Sequence, residues 1–128
     1  MLELYFPSEL PEQIAFTAAV VIAAIGLLVM MFPGPALRSG GFNTGNVGAE
    51  GFGATRSIGG LHLGLGLACV ALAQDFTYLM MGSALAFAAV GRTLSLFLDR
   101  GLTARNLTVL LGQLVLAAMP LGYVFGYF

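Results

Sequence analysis

The sequence predicts an all-α fold: a four-transmembrane-helix bundle forming one membrane domain over residues 1–128, with both termini on the non-cytoplasmic side. Three observations carry this expectation. Hydrophobic residues make up 59% of the chain and charged residues only 9%, against about 25% charged in a soluble domain, and mean hydropathy is +0.94. Apolar stretches long enough to cross a bilayer are separated by short polar breaks. All five cations are arginines, and they gather at alternate breaks. Such a chain has too little charge to stay in water as a globule, so its solvent is expected to be lipid. The net charge of −1 gives no basic footprint for nucleic acid.

The first helix is expected over residues 9–32. Glu3, Glu9 and Glu12 surround Tyr5 and Phe6, a mixture suited to the headgroup boundary. Ser8 is the expected N-cap, with Glu9, Pro11 and Glu12 in a first turn that tolerates proline and favours acids. The run from Ile14 to Phe32 has 19 residues, which at 1.5 Å per residue covers roughly 28 Å, about one hydrocarbon core. An acidic start and the spans that follow argue for a permanent helix over a cleaved signal peptide. Pro33-Gly34-Pro35 is expected to end it.

The next dozen residues read as a loop. The second helix is expected over 46–73, capped by Thr44 or Asn46, although Gly48, Gly51 and Gly53 weaken its start. A turn at Gln74-Asp75 leads into a third helix over 76–99, making an antiparallel hairpin. Gly101 suits the left-handed position after it. Thr103 is the expected cap of the fourth helix, over 103–125, with Pro120 near its end and Tyr123, Phe125, Tyr127 and Phe128 at the exit. Arg38 and Arg56 flank the first loop, and Arg92, Arg100 and Arg105 the third. The excess of arginine on short cytoplasmic loops then places both loops inside, in a bacterial inner (plasma) membrane.

In lipid, small residues allow the close approach that drives helix association. Gly60, Gly64 and Ala68 form a ridge at four-residue spacing beside Gly59, and Gly82 and Ala86 offer one on the third helix. The second and third helices are therefore expected to make the tight core. Few charges and two small-residue faces favour a structural or accessory subunit, as a homo-oligomer or within a larger membrane complex.

Ionisable residues inside a span cost about 2.5 to 3.5 kcal/mol at the centre and need a reason. Arg92, Ser95 and Asp99 share a face of the third helix. Glu50, Arg56, Arg92 and Asp99 are expected to cluster where the second and third helices meet. His62 lies deeper, at a level where it can reach Gln113. Such a cluster either locks the bundle or holds a lipid headgroup, a quinone or an anion. A bundle lock, outward snorkelling of Arg92 and a satisfied core histidine are the simpler alternatives. No cofactor is implied: a single histidine, the lone Cys69 and five scattered methionines within the spans define no ligand set. No catalytic motif or nucleophile–base–acid set is present, so an enzyme is not expected.

The segments Glu50…Arg56-Ser57-Ile58-Gly59-Gly60-Leu61-His62-Leu63-Gly64-Leu65-Gly66 and Gly91-Arg92-Thr93-Leu94-Ser95-Leu96-Phe97-Leu98-Asp99-Arg100-Gly101 resemble a family of small bacterial four-helix membrane proteins catalogued only as a domain of unknown function. The resemblance covers somewhat under half the chain and implies a four-helix membrane bundle. Members often carry an acid on the last helix, where Gln113 stands here. The layout is also similar to DoxX-like membrane proteins, some of which take part in quinone or thiol redox chemistry.

Overall fold

A computed structural model describes residues 4–128. Glu3, expected at the headgroup boundary, lies outside them. The described residues form five α-helices: α1 (Leu10–Met31), α2 (Pro33–Ser39), α3 (Ala49–Leu72), α4 (Asp75–Leu98) and α5 (Ala104–Val124), with a 3-10 turn at Thr44–Asn46. All but α2 are long and apolar enough to span a membrane.

Several ends differ from expectation. Ser8 does not cap α1; Glu9 holds the N-cap position and no side chain bonds there. Pro33 ends one helix and starts another, because a proline at the first helical position loses no intrahelical bond. The expected loop therefore contains the seven-residue α2. Neither Thr44 nor Asn46 caps α3, which starts after Gly48. Instead the Asn43 side chain accepts from the Gly45 N–H at 3.1 Å and closes the 3-10 turn. Thr103 caps α5, its hydroxyl accepting from the Asn106 N–H at 3.1 Å. Left-handed backbone follows both α3 and α4, at Ala73 (φ 47°) and Arg100 (φ 53°). Gly101 stands one residue beyond the position expected for it. Ahead of α1, the Tyr5 hydroxyl donates to Glu12 at 3.1 Å, and this bond to a carboxylate raises the phenol pKa.

The helices pair differently from their order in the chain. α1 lies along α3, and α4 along α5; α1 and α5 join the two pairs, while α3 and α4 barely touch. The α3–α4 hairpin is thus connected by a short turn but is not the tight core expected of it. Tight packing instead runs along α1 and α3. A Cβ on Gly66 would stand 2.6 Å from both the Ala19 carbonyl oxygen and the Ala23 nitrogen, and one on Gly59 would stand 2.7 Å from the Gly26 carbonyl oxygen. Gly26, in turn, faces the backbone of Gly59 and Leu63. Only glycines let the two backbones come this close, which supplies the packing that lipid does not reward.

The Gly60, Gly64 and Ala68 ridge points elsewhere. Gly60 meets only the Met30 sulfur at 3.5 Å, Gly64 has nothing within 4 Å, and Ala68 is exposed. Gly59 and Gly60 are neighbours in sequence but about 100° apart around a helix, so only one can face α1. Gly82 likewise packs against Leu121 and Pro120 of α5 rather than against α3. Ala86 is half-buried against the common core.

That core lies toward the α3–α4 turn and the start of α1. Ala15, Ala18, Ala19, Ile22, Cys69, Tyr78, Met81, Leu85 and Ala117 are buried together. The Tyr78 and Tyr123 rings meet edge to face, 5.6 Å apart. At the opposite end, which carries α2, the two helix pairs leave a cavity between them.

Candidate functional site: a polar cavity between the helix pairs

The cavity has a volume of about 910 Å3 and is lined by all five helices. α1 gives Ile25 and Val29, and α2 with its following turn gives Ala36, Ser39 and Phe42. α3 gives Ile58 and His62; α4 gives Ala88, Arg92 and Ser95; α5 gives Arg105, Asn106, Val109 and Gln113. Its lining is therefore apolar on the α1 side and mostly polar on the α4–α5 side.

Arg92 is the fixed point. It stands six residues before the end of α4, about 9 Å inside the helix. Its Nε donates to Gln113 Oε1 at 3.2 Å, and one terminal nitrogen donates to Asn106 Oδ1 at 3.0 Å. The Asn106 amide is oriented in turn, because its Nδ2 donates to the Gly101 carbonyl at 2.8 Å. A carbonyl can only accept, so the amide nitrogen faces Gly101 and its oxygen faces Arg92. Gly101 permits this approach: a Cβ there would stand 2.9 Å from Nδ2. The connection between α4 and α5 thereby positions the guanidinium.

Both Arg92 partners are neutral amides. They fix the group's direction without neutralising it. Arg105 adds a second guanidinium, which lies over Gly41; a Cβ on Gly41 would meet a terminal nitrogen at 2.7 Å. Gly41 also has φ +94°, a conformation that side chains disfavour. Among the described residues no aspartate or glutamate lines the cavity.

His62 and Gln113 share the cavity but are not bonded as expected. His62 Nδ1 lies 2.8 Å from the Ile58 carbonyl one turn earlier on its own helix. Since that carbonyl accepts, Nδ1 carries the proton and Nε2 is left as the other ring nitrogen. Gln113 is committed to Arg92.

The structure therefore brings together Arg92, Ser95, His62 and Gln113 and separates them from the rest of the expected cluster. Glu50, Arg56 and Asp99 do not line the cavity. Arg56 donates to the Met30 carbonyl at 2.8 Å, satisfying an acceptor near the end of α1. Arg92 bonds neither Glu50 nor Asp99; α4 lies along α5, which presents Asn106 and Gln113 to two of its five N–H donors. Asn106 and Arg105 were not expected in the site. Asn106 and Gln113 are seven residues apart on α5, two turns along one face, which is the signal that points to them.

Among the described residues, no group of three or more His, Cys, Asp or Glu side chains is placed to hold a metal ion. No protein-family model, curated protein or solved structure matches this chain.

Proposed function

We propose that this protein is a small membrane binding module whose cavity receives an anionic group at Arg92. The supporting observation is a guanidinium held by two neutral amides in a large cavity that no carboxylate lines among the described residues. A charge within a span costs several kcal/mol unless it is compensated. A bound phosphate or carboxylate compensates it with charge-assisted hydrogen bonds. A quinone carries no charge to answer two guanidiniums, so the lining favours an anion over a quinone. The arginine distribution turns the α2 end toward the cytoplasm, with both termini outside, in a bacterial inner membrane. The cavity then opens at the cytoplasmic leaflet.

The test is native mass spectrometry of the protein released from its own membranes in mild detergent. The intact chain is expected to carry an anionic adduct that Arg92→Leu loses and Arg92→Lys retains in part. Identical adducts on the intact chain and on Arg92→Leu would overturn the proposal.

A second reading, an accessory subunit that self-associates or joins a larger complex, is supported by the outward ridge of Gly60, Gly64 and Ala68, which the bundle itself leaves uncovered. Gly64→Leu should then abolish a crosslinkable oligomer in membranes, since a bulky side chain prevents close helix approach. An unchanged oligomer would remove that support.

A further inference from the structure

The polar cavity continues into a second, apolar space. A groove of about 390 Å3 runs between the last turns of α1 and the short helix α2. Ile25, Val29, Ala36 and Ser39 line both the groove and the cavity. Beyond them the groove is formed by Leu28, Phe32 and Pro35. Leu28 and Phe32 are each 58% exposed, so the groove is open toward lipid.

We infer that the ligand is an anionic amphiphile, with its headgroup on Arg92 and one hydrocarbon chain in the α1–α2 groove. The inference rests on the anion-binding reading above and extends it to the substrate class. Two features of the structure support the extension. The first is continuity, since four residues are shared by both spaces. The second is complementarity: uncompensated positive charge at one end and an apolar trough at the other match the two parts of such a molecule. A free small anion would use only the polar part. Such a chain is drawn from the surrounding lipid rather than from water, so its advantage over the headgroup alone comes from contact packing in the groove and from holding the headgroup beside the cavity. The α2 helix has a structural role here. Pro33 restarts the chain as a helix directly after α1, and this gives the groove its second wall.

The test uses the full chain in detergent micelles and three probes: palmitoyl lysophosphatidic acid, its tailless counterpart glycerol 3-phosphate, and palmitoyl lysophosphatidylcholine. Leu28→Trp fills the groove and leaves the cavity lining untouched; Phe32→Trp is a second filling variant should the first fold poorly, as judged by helicity and elution volume. The intact chain should bind the lysophosphatidic acid at least tenfold more tightly than either other probe. Leu28→Trp should weaken that binding about tenfold without changing the affinity for glycerol 3-phosphate. If both tryptophan variants bind the lysophosphatidic acid like the intact chain, the groove inference is wrong and the anion reading stands. The same conclusion follows if glycerol 3-phosphate binds as tightly as the amphiphile. If Arg92→Leu binds all three probes as the intact chain does, both readings fall together.

Discussion

The two ends of this bundle are built from the same four long helices and behave as opposites. At the turn between α3 and α4, Tyr78, Met81, Cys69 and Pro120 are fully buried and small residues of α1 bring the helices close. At the α2 end the α1–α3 pair and the α4–α5 pair enclose a cavity of about 910 Å3 with two arginines on its wall. The difference lies in what sits between the pairs. Alanine, glycine and two edge-to-face tyrosines close one end, whereas Arg92, Asn106, Gln113 and His62 keep space for something polar at the other. The sealed end holds the buried core of the bundle, and the open end is free to be a site because stability is supplied elsewhere.

The strongest way to break this contrast is to attack the pairing that both ends depend on. Gly59→Leu forces a side chain into the α1 backbone beside Gly26. It should destabilise the bundle by about 3 kcal/mol, the upper part of the overpacking range. Gly64→Leu, five residues on, should stay within about 0.5 kcal/mol, as expected for a substitution that touches nothing. Unfolding in mixed micelles titrated with a denaturing detergent measures both. Equal effects from the two glycines would show that α3 packs through a different face.

The open end can be sharpened separately. Asn106→Leu removes an acceptor for Arg92 and a donor to the Gly101 carbonyl. Losing these two bonds should cost about 2 kcal/mol, and anion binding should weaken because only Gln113 then aims the guanidinium. Asn106→Asp separates the two effects. Its carboxylate pairs with Arg92 but, like leucine, cannot donate to the Gly101 carbonyl, so the bond to Gly101 is lost in both variants while Arg92 is neutralised only in this one, and ligand affinity should fall further than in Asn106→Leu. Ligand binding that survives Asn106→Asp unchanged would mean that Arg92 does not carry the site.

A smaller effect is expected at the turns that bound α4, where each end has one left-handed residue: Ala73 at the sealed end and Arg100 at the open end. A residue with a Cβ pays roughly 1 kcal/mol for that conformation. Ala73→Gly should therefore raise stability by about 1 kcal/mol in the same detergent titration. Arg100→Gly should gain less, since it also removes a cation from the C-terminal end of α4. A loss of stability in Ala73→Gly would mean that the methyl group contributes packing at the sealed end.

How far these two ends can be read from the sequence depends on what fixes each feature. The spans are set by apolar length alone, so composition reveals them. Arg92, Ser95, His62 and Gln113 stand out because a polar group in an apolar run is costly wherever the run goes. Pairing is different. Gly59 and Gly60 are chemically identical, and only the three-dimensional path of α1 decides which of them is buried; the four-residue ridge of Gly60, Gly64 and Ala68 has the more familiar spacing and faces outward. Partners for Arg92 depend on pairing in the same way. Acids near the helix ends were the natural expectation from charge, yet α5, not α3, lies against α4, and it presents amides. Pro33 illustrates a local ambiguity, since the residue that must end one helix is also suited to begin another.

Tyr78 provides the finest test of the sealed end. Its ring is fully buried, and its hydroxyl has no hydrogen-bond partner among the described residues. A buried, unpaired hydroxyl costs about 1 to 3 kcal/mol of lost solvation. Tyr78→Phe removes that penalty and keeps the edge-to-face contact with Tyr123, at the expense of a void one oxygen in size. The gain should thus be at the low end, about 0.5 to 1 kcal/mol in the detergent titration. Dryness is what the prediction turns on. If a buried water or a polar neighbour satisfies the hydroxyl, its removal leaves that partner unpaired and the variant becomes less stable. A destabilised Tyr78→Phe protein would mean that polar matter reaches this end too, and that the bundle is not divided into a dry half and a receptive half.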